Sequence, residues 1–114
     1  MKVAGIGFRA EATAAAIHDV LGNAQVDALA TLDRKAEALR DLIPGLPVIG
    51  VARAALAGVE TSTTSARVLA EFGTGSLAEA TALVAAGPQA RLIVTRRISS
   101  DGMATAAIAE GQDG

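Results

Sequence analysis

Short apolar runs alternate along this chain with Ala-rich stretches whose apolar positions fall at helical spacing. Lys2-Val3-Ala4-Gly5-Ile6-Gly7-Phe8 is apolar and glycine-bearing, and it predicts a buried strand running into a turn. Glu11 to Leu21 predicts a helix. Ala12, Ala15, Ala16 and Val20 fall near helical spacing, Glu11 suits the positive N-terminal end, and Gly22-Asn23 are stop residues. Val26 to Leu32 fits either strand or helix, and we read it as a strand ending near Thr31-Leu32-Asp33, followed by a helix from Arg34 to Leu42. Pro44-Gly45-Leu46-Pro47 ends that helix, because proline cannot continue it.

Val48-Ile49-Gly50-Val51 predicts a third strand, with a short helix over Arg53 to Ala57 behind it. Glu60-Thr61-Ser62-Thr63-Thr64-Ser65 reads first as a solvated connection and second as a ligand-facing loop. Ser65 can cap a helix over Ala66 to Phe72. Ser76, with Glu79 three positions on, predicts a capping box for a helix reaching Ala86, stopped by Gly87-Pro88. Ala90 to Val94 reads as a strand, Ile98 to Gly102 as a turn, Met103 to Ala109 as the last strand and Glu110 to Gly114 as a frayed tail. Alternation of strand and helix without internal repeats predicts one domain over residues 1–114. Its expected fold is a three-layer α/β/α arrangement with a mixed, mostly parallel sheet.

Composition narrows the chemistry. The chain has 114 residues, two Phe, no Trp, no Tyr and no Cys. Its core must therefore be aliphatic, and disulfides, thiolate metal sites and a Cys nucleophile are excluded. Ten basic against twelve acidic residues argue against nucleic acid as a partner, as does the lack of stacking aromatics. The N-terminal run is too short and too polar for a signal or a membrane span, so the expected location is cytoplasmic.

Two glycine turns are the candidate chemistry. Gly73-Thr74-Gly75-Ser76 opens into a helix, where backbone N–H groups can meet an anion. Gly5-Ile6-Gly7-Phe8-Arg9-Ala10 fits the permissive dinucleotide fingerprint G-x-G-x-x-G/A, with Asp33 at about the distance of a ribose-binding acid, roughly 20 residues on. Bulky Phe8 and Arg9 oppose that reading, and either turn can be purely structural. Basic residues follow each expected strand: Arg9, then Arg34 and Lys35, then Arg53, then Arg96 and Arg97. Ligands of open α/β sheets bind beyond the carboxyl ends of strands, so these cations can converge. His18 is the single histidine, and no metal cluster or activated hydroxyl is visible.

Four segments in order carry a family resemblance: Val3-Ala4-Gly5-Ile6-Gly7-Phe8-Arg9, Leu29-Ala30-Thr31-Leu32-Asp33-Arg34-Lys35, Gly73-Thr74-Gly75-Ser76-Leu77-Ala78-Glu79-Ala80 and Ala104-Thr105-Ala106-Ala107-Ile108-Ala109. Over nearly its whole length the chain resembles the CobE/CbiG C-terminal domain family of cobalamin biosynthesis. The resemblance implies a layered α/β fold and work with corrin-ring intermediates. In the larger relatives it implies opening of a lactone ring with release of acetaldehyde. The sequence departs from the family pattern at Phe8, where Cys is common, at Ala10-Glu11, where a basic residue and Gly are usual, and at Thr95, where Lys is frequent.

The resulting expectation is a binder of a polycarboxylate precorrin or hydrogenobyrinic-acid-type intermediate, without a cofactor or metal. Gly7, Thr74, Gly75 and Ser76 are the expected backbone and hydroxyl donors; Arg9, Lys35 and Arg96 are the expected cations; Gly5, Asp33 and Glu79 complete the candidate set. Other enzymes of the pathway are candidate partners. The alternatives are a precorrin hydrolase, for which no catalytic constellation stands out, and a small Rossmann-like nucleotide-binding module.

Overall fold

A computed structural model describes residues 1–111. β1 (Lys2–Phe8) opens the chain, followed by α1 (Ala14–Leu21), β2 (Ala28–Leu32), a 3₁₀ turn at Asp33–Lys35, α2 (Ala36–Leu42) and β3 (Val48–Val51). A second 3₁₀ turn, Arg53–Ala55, leads through the polar loop to α3 (Ala66–Phe72), α4 (Leu77–Ala86), β4 (Arg91–Ile98) and β5 (Ala104–Glu110).

The strands form a single sheet in the order β3-β2-β1-β5-β4. β1, β2 and β3 pair in parallel, and β5 runs antiparallel to both β1 and β4. Four strands thus point one way and one the other, the mixed and mostly parallel sheet expected. Side chains of a strand alternate between faces, so β1 feeds two cores. Ala4 and Ile6 pack with Ile17 and Val20 of α1, Leu39 of α2 and Ile108 of β5. Val3 packs on the opposite face with Ala30, Leu32, Val51, Leu56, Phe72 and Ala80. Both faces being covered, the central strands read as nearly continuous apolar runs.

Small residues let these layers close tightly. A Cβ on Gly5 would lie 1.9 Å from the Ala78 carbonyl oxygen and 2.7 Å from the Ala82 nitrogen. Glycine at position 5 therefore lets the backbone of α4 lie directly on β1. Ala104, Ala106, Ala107 and Ala109 of β5 are buried and serve the same close packing.

Several boundaries differ from expectation. Helix α1 begins at Ala14, because Thr13 takes an extended conformation and its hydroxyl accepts the Ala16 N–H at 3.3 Å, leaving Glu11 in the preceding turn. The predicted Arg34–Leu42 helix is split into the 3₁₀ turn and α2, and the Arg53 helix is only a 3₁₀ turn. Strand β4 runs to Ile98 because pairing with β5 resumes at Arg97↔Ala106 and Ile98↔Thr105. Glu110 is not frayed: it pairs with Lys2, and Gly111 N–H donates to the Met1 carbonyl. The rest of the predicted tail, residues 112–114, lies outside the described residues.

Candidate functional site

The sheet order grows leftward from β1 to β2 and β3, then switches to the other side for β4 and β5. At such a switch the carboxyl ends of neighbouring strands diverge and leave a crevice. Here it is a cleft of about 460 Å³. Its floor is the end of β1, with Ile6, Gly7 and Phe8, and of β2, with Thr31 and Leu32. Arg9, Arg34 and Lys35 stand just beyond those ends. Ser65, Arg67, Val68, Glu71 and Phe72 form one wall from α3 and its cap, and Ser76, Leu77 and Thr81 bring in the start of α4. The β4–β5 hairpin adds Arg96, Ile98 and Met103 through Thr105.

Hydroxyl groups around the cleft are tied to the backbone. Thr31 Oγ1 donates to the Ile6 carbonyl at 2.8 Å, Thr105 Oγ1 to that of Gly7 at 3.4 Å, and Thr81 Oγ1 to that of Leu77 at 2.7 Å. Arg9 N–H donates to the Met103 carbonyl at 3.0 Å, tying the end of β1 to the hairpin. The Lys35 ammonium donates to the Phe8 carbonyl and lies 4.6 Å from the centre of the Phe8 ring. Burial holds the Lys35 amine below its ordinary range; the neighbouring Arg34 adds to this and Glu11 opposes it.

Electrostatically the cleft is one-sided. Arg9, Arg34, Lys35, Arg67 and Arg96 face it, half of the chain's ten basic residues, against one carboxylate among the described residues, Glu71. Among the described residues none of these five cations is ion-paired; the one pair found, Arg91–Glu110 at 3.7 Å, lies elsewhere. The positive end of the α4 dipole adjoins the same space through Ser76 and Leu77.

Of the candidate residues, the cleft gathers Gly7, Arg9, Lys35, Ser76 and Arg96. Gly5 lies beneath α4, and Asp33 is exposed at the start of the 3₁₀ turn, its Cα near Gly50. Thr74 is buried with its hydroxyl donated to the Val59 carbonyl at 2.7 Å. Gly75 packs against Thr61 and Thr63, and its carbonyl accepts the Ser65 N–H at 2.8 Å. The glycine turn before α4 is thus mostly structural. Only half of the capping box forms: Ser76 Oγ accepts the Glu79 N–H at 3.2 Å. The Glu79 carboxylate, fully buried, turns instead to Thr63 N–H at 3.0 Å and Arg96 N–H at 2.8 Å.

Gly5 and Gly7 also correct the dinucleotide reading. Both are strand residues, paired with Ala107 and Thr105 of β5, and α1 starts only at Ala14. The glycine turn that would approach a pyrophosphate is not formed. Arg53 and Arg97 leave the cleft as well: Arg53 lies over the Phe72 ring and Arg97 donates to the Leu21 carbonyl. Arg67, Glu71, Thr31, Thr81 and Thr105 also line the cleft and stand outside the set expected from the sequence. A usable signal exists for Thr31 and Thr105, each a hydroxyl between apolar neighbours in its strand.

His18 is exposed on α1 and lines a separate hollow of about 360 Å³ with Leu21, Ile43 and Leu46. Among the described residues no His, Cys, Asp and Glu cluster can hold a metal, and no single helix is long and apolar enough to cross a membrane.

Solved structures similar to this chain along nearly its whole length include two proteins of cobalamin biosynthesis. CobE, a protein from the cobalamin (vitamin B12) biosynthetic pathway, is 36% identical with a TM-score of 0.77, over 96% of this chain and 89% of that one. The cobalamin biosynthesis protein chiG from Agrobacterium tumefaciens str. C58 is 34% identical with a TM-score of 0.73, over 99% of this chain and 100% of that one. No curated protein matches the sequence. The model of the family described as Cobalamin synthesis G C-terminus matches residues 2–109, and the chain therefore belongs to that family.

Proposed function

We propose that this cobalamin-biosynthesis family domain binds a polycarboxylate corrin-ring intermediate, of the precorrin or hydrogenobyrinic-acid type, as a carrier or accessory factor. The observation that carries the reading is the set of five cations, without ion-pair partners among the described residues, around a partly apolar cleft in a chain whose net charge is −2. Corrin precursors present many carboxylates around an apolar macrocycle. Arg9, Arg34, Lys35, Arg67 and Arg96 supply charge-assisted donors for the carboxylates, and Phe8, Leu32, Val68 and Met103 supply the apolar contact. A cleft of about 460 Å³ takes one edge of the macrocycle and leaves the rest open for delivery to other enzymes of the pathway.

Titration of the protein with hydrogenobyrinic acid, followed by visible absorbance, tests the reading. A saturable spectral change is expected, weakened about tenfold or more in an Arg9→Ala/Lys35→Ala double variant, which corresponds to about 1.4 kcal/mol. Absence of a saturable change, or a double variant that binds like the parent, would refute it. Chromatography of the recovered ligand separates the carrier from the hydrolase: the carrier returns it unchanged.

A further inference from the structure

The pairing of β4 with β5 is interrupted where the cleft needs it. Val94 pairs with Ile108 and Arg97 with Ala106, so Thr95 and Arg96 together face the single residue Ala107. A bulge of this kind removes a residue from the ladder, bends the strand and re-aims a side chain. Arg96 lines the cleft, whereas its neighbour Arg97 reaches Leu21. The Arg96 N–H, outside the ladder, donates to Glu79 Oε2 at 2.8 Å.

The other oxygen of the same carboxylate accepts the Thr63 N–H at 3.0 Å, two residues before Ser65, where the α3 wall begins. Glu79 is fully buried in the first turn of α4 and itself lies outside the cleft lining. A carboxylate accepting two backbone N–H groups is a strong anchor, and it spans two walls that the sequence does not connect locally. The loop has a second tie, Ser65 N–H to the Gly75 carbonyl, while the bulge relies on Glu79.

We infer that Glu79 is a positioning residue of the cleft, clamping the β4 bulge so that Arg96 faces the anionic ligand and holding the α3 wall opposite; this rests on the ligand-binding reading above. Glu79 touches no ligand in this role. Glu79→Gln nearly preserves size but replaces one acceptor oxygen by an NH₂ group, which opposes a backbone N–H donor to donor. Arg96 keeps its side chain and loses the hold on its backbone.

The test combines a double-mutant cycle with amide exchange in the full chain, using hydrogenobyrinic acid as the probe. Glu79→Gln is expected to weaken binding about fivefold. Added to Arg96→Ala it should cost less than about twofold further, while added to Arg9→Ala its effect should multiply in full, since only interacting residues depart from additivity. A purely structural defect would multiply with both variants and overturn the inference.

Amide hydrogen exchange needs no ligand. In the parent protein the Arg96 and Thr63 amides should exchange slowly although neither lies in a ladder, and in Glu79→Gln at least one should exchange much faster while Ser99, whose N–H donates to the Ala104 carbonyl at 2.8 Å, stays protected. Fast exchange of both in the parent overturns the clamp, even if the variant fails to fold. A parent protein that binds no hydrogenobyrinic acid overturns the ligand half together with the proposed function, and the exchange result then decides the clamp by itself.

Discussion

Alanine at position 5 would drive a methyl group into the backbone of α4. The added carbon would stand 1.9 Å from the Ala78 carbonyl oxygen, 2.6 Å from Thr81 Oγ1 and 2.7 Å from the Ala82 nitrogen. Two of those three atoms belong to the helix backbone, so no rotamer change relieves the clash. Restoring a contact of 3.4 Å requires α4 to retreat by about 1.5 Å from a sheet on which it is closely packed. Overfilling a core of this kind costs about 1–3 kcal/mol, and the rigid partner places this case at the upper end. Replacing a strand glycine by alanine returns about 0.5–1 kcal/mol of that through chain entropy. A net loss of about 2 kcal/mol lowers the melting temperature by about 8–15 °C in a domain of this size. Thermal unfolding followed by circular dichroism measures it, with Gly45→Ala as control, since nothing lies within 4 Å of that position. Gly5→Ala melting within about 3 °C of the parent would refute the argument that glycine there is required by helix contact.

Three further outcomes are expected. The folded state disfavours the charged Lys35 amine, so stability should rise as pH climbs through its lowered pKa toward 10.5, while corrin affinity falls over the same interval as the charge is lost; Lys35→Arg, which stays charged, should abolish that alkaline fall in a titration series. Asp19 accepts the Ser100 N–H at 2.8 Å and the Ser100 hydroxyl at 2.6 Å, which hold its carboxyl below 3.8. The tie between α1 and the β4–β5 turn should therefore be complete above pH 3.8 and fade as pH falls through the lowered value, seen as loss of exchange protection at the Ser100 amide. Ser76→Ala removes the cap of α4 and should cost about 0.5–2 kcal/mol in urea unfolding, with an unchanged midpoint counting against the cap.

Local signals made part of this molecule readable. β3, α3 and α4 sit where the β-branched run, Ser65 and Ser76 place them, because strand patterning and hydroxyl caps act within a few residues. The start of α1 differs from expectation because Glu11 suits the dipole while Thr13 supplies the hydroxyl that accepts the Ala16 N–H at 3.3 Å. The end of β4 was hidden because Arg96-Arg97 looks like a loop, and only pairing with β5 makes it strand. In the site, cations after strand ends were legible through the sheet's geometry. Gly5 and Glu79 were not: each reads locally as a turn glycine and a capping acid. The atoms that decide their roles lie on α4 for Gly5, and 16 and 17 residues away in sequence for Glu79.

The position of β5 sets an order on how the molecule is made. Its seven residues slot between β1 and β4, so a strand that leaves the ribosome after the other four fills a central place in the sheet. Lys2 must wait for Glu110 before the β1 ladder on that side can zip. The parallel β1-β2-β3 half can assemble early, whereas Arg96 is carried on an edge strand whose sheet neighbour, among the described residues, is β5 alone. Such late, sequence-distant pairing slows folding. The cleft is therefore completed only when synthesis has passed β5, and a nascent chain stalled before Ala104 would expose the open flank of β1 with the cleft not yet built.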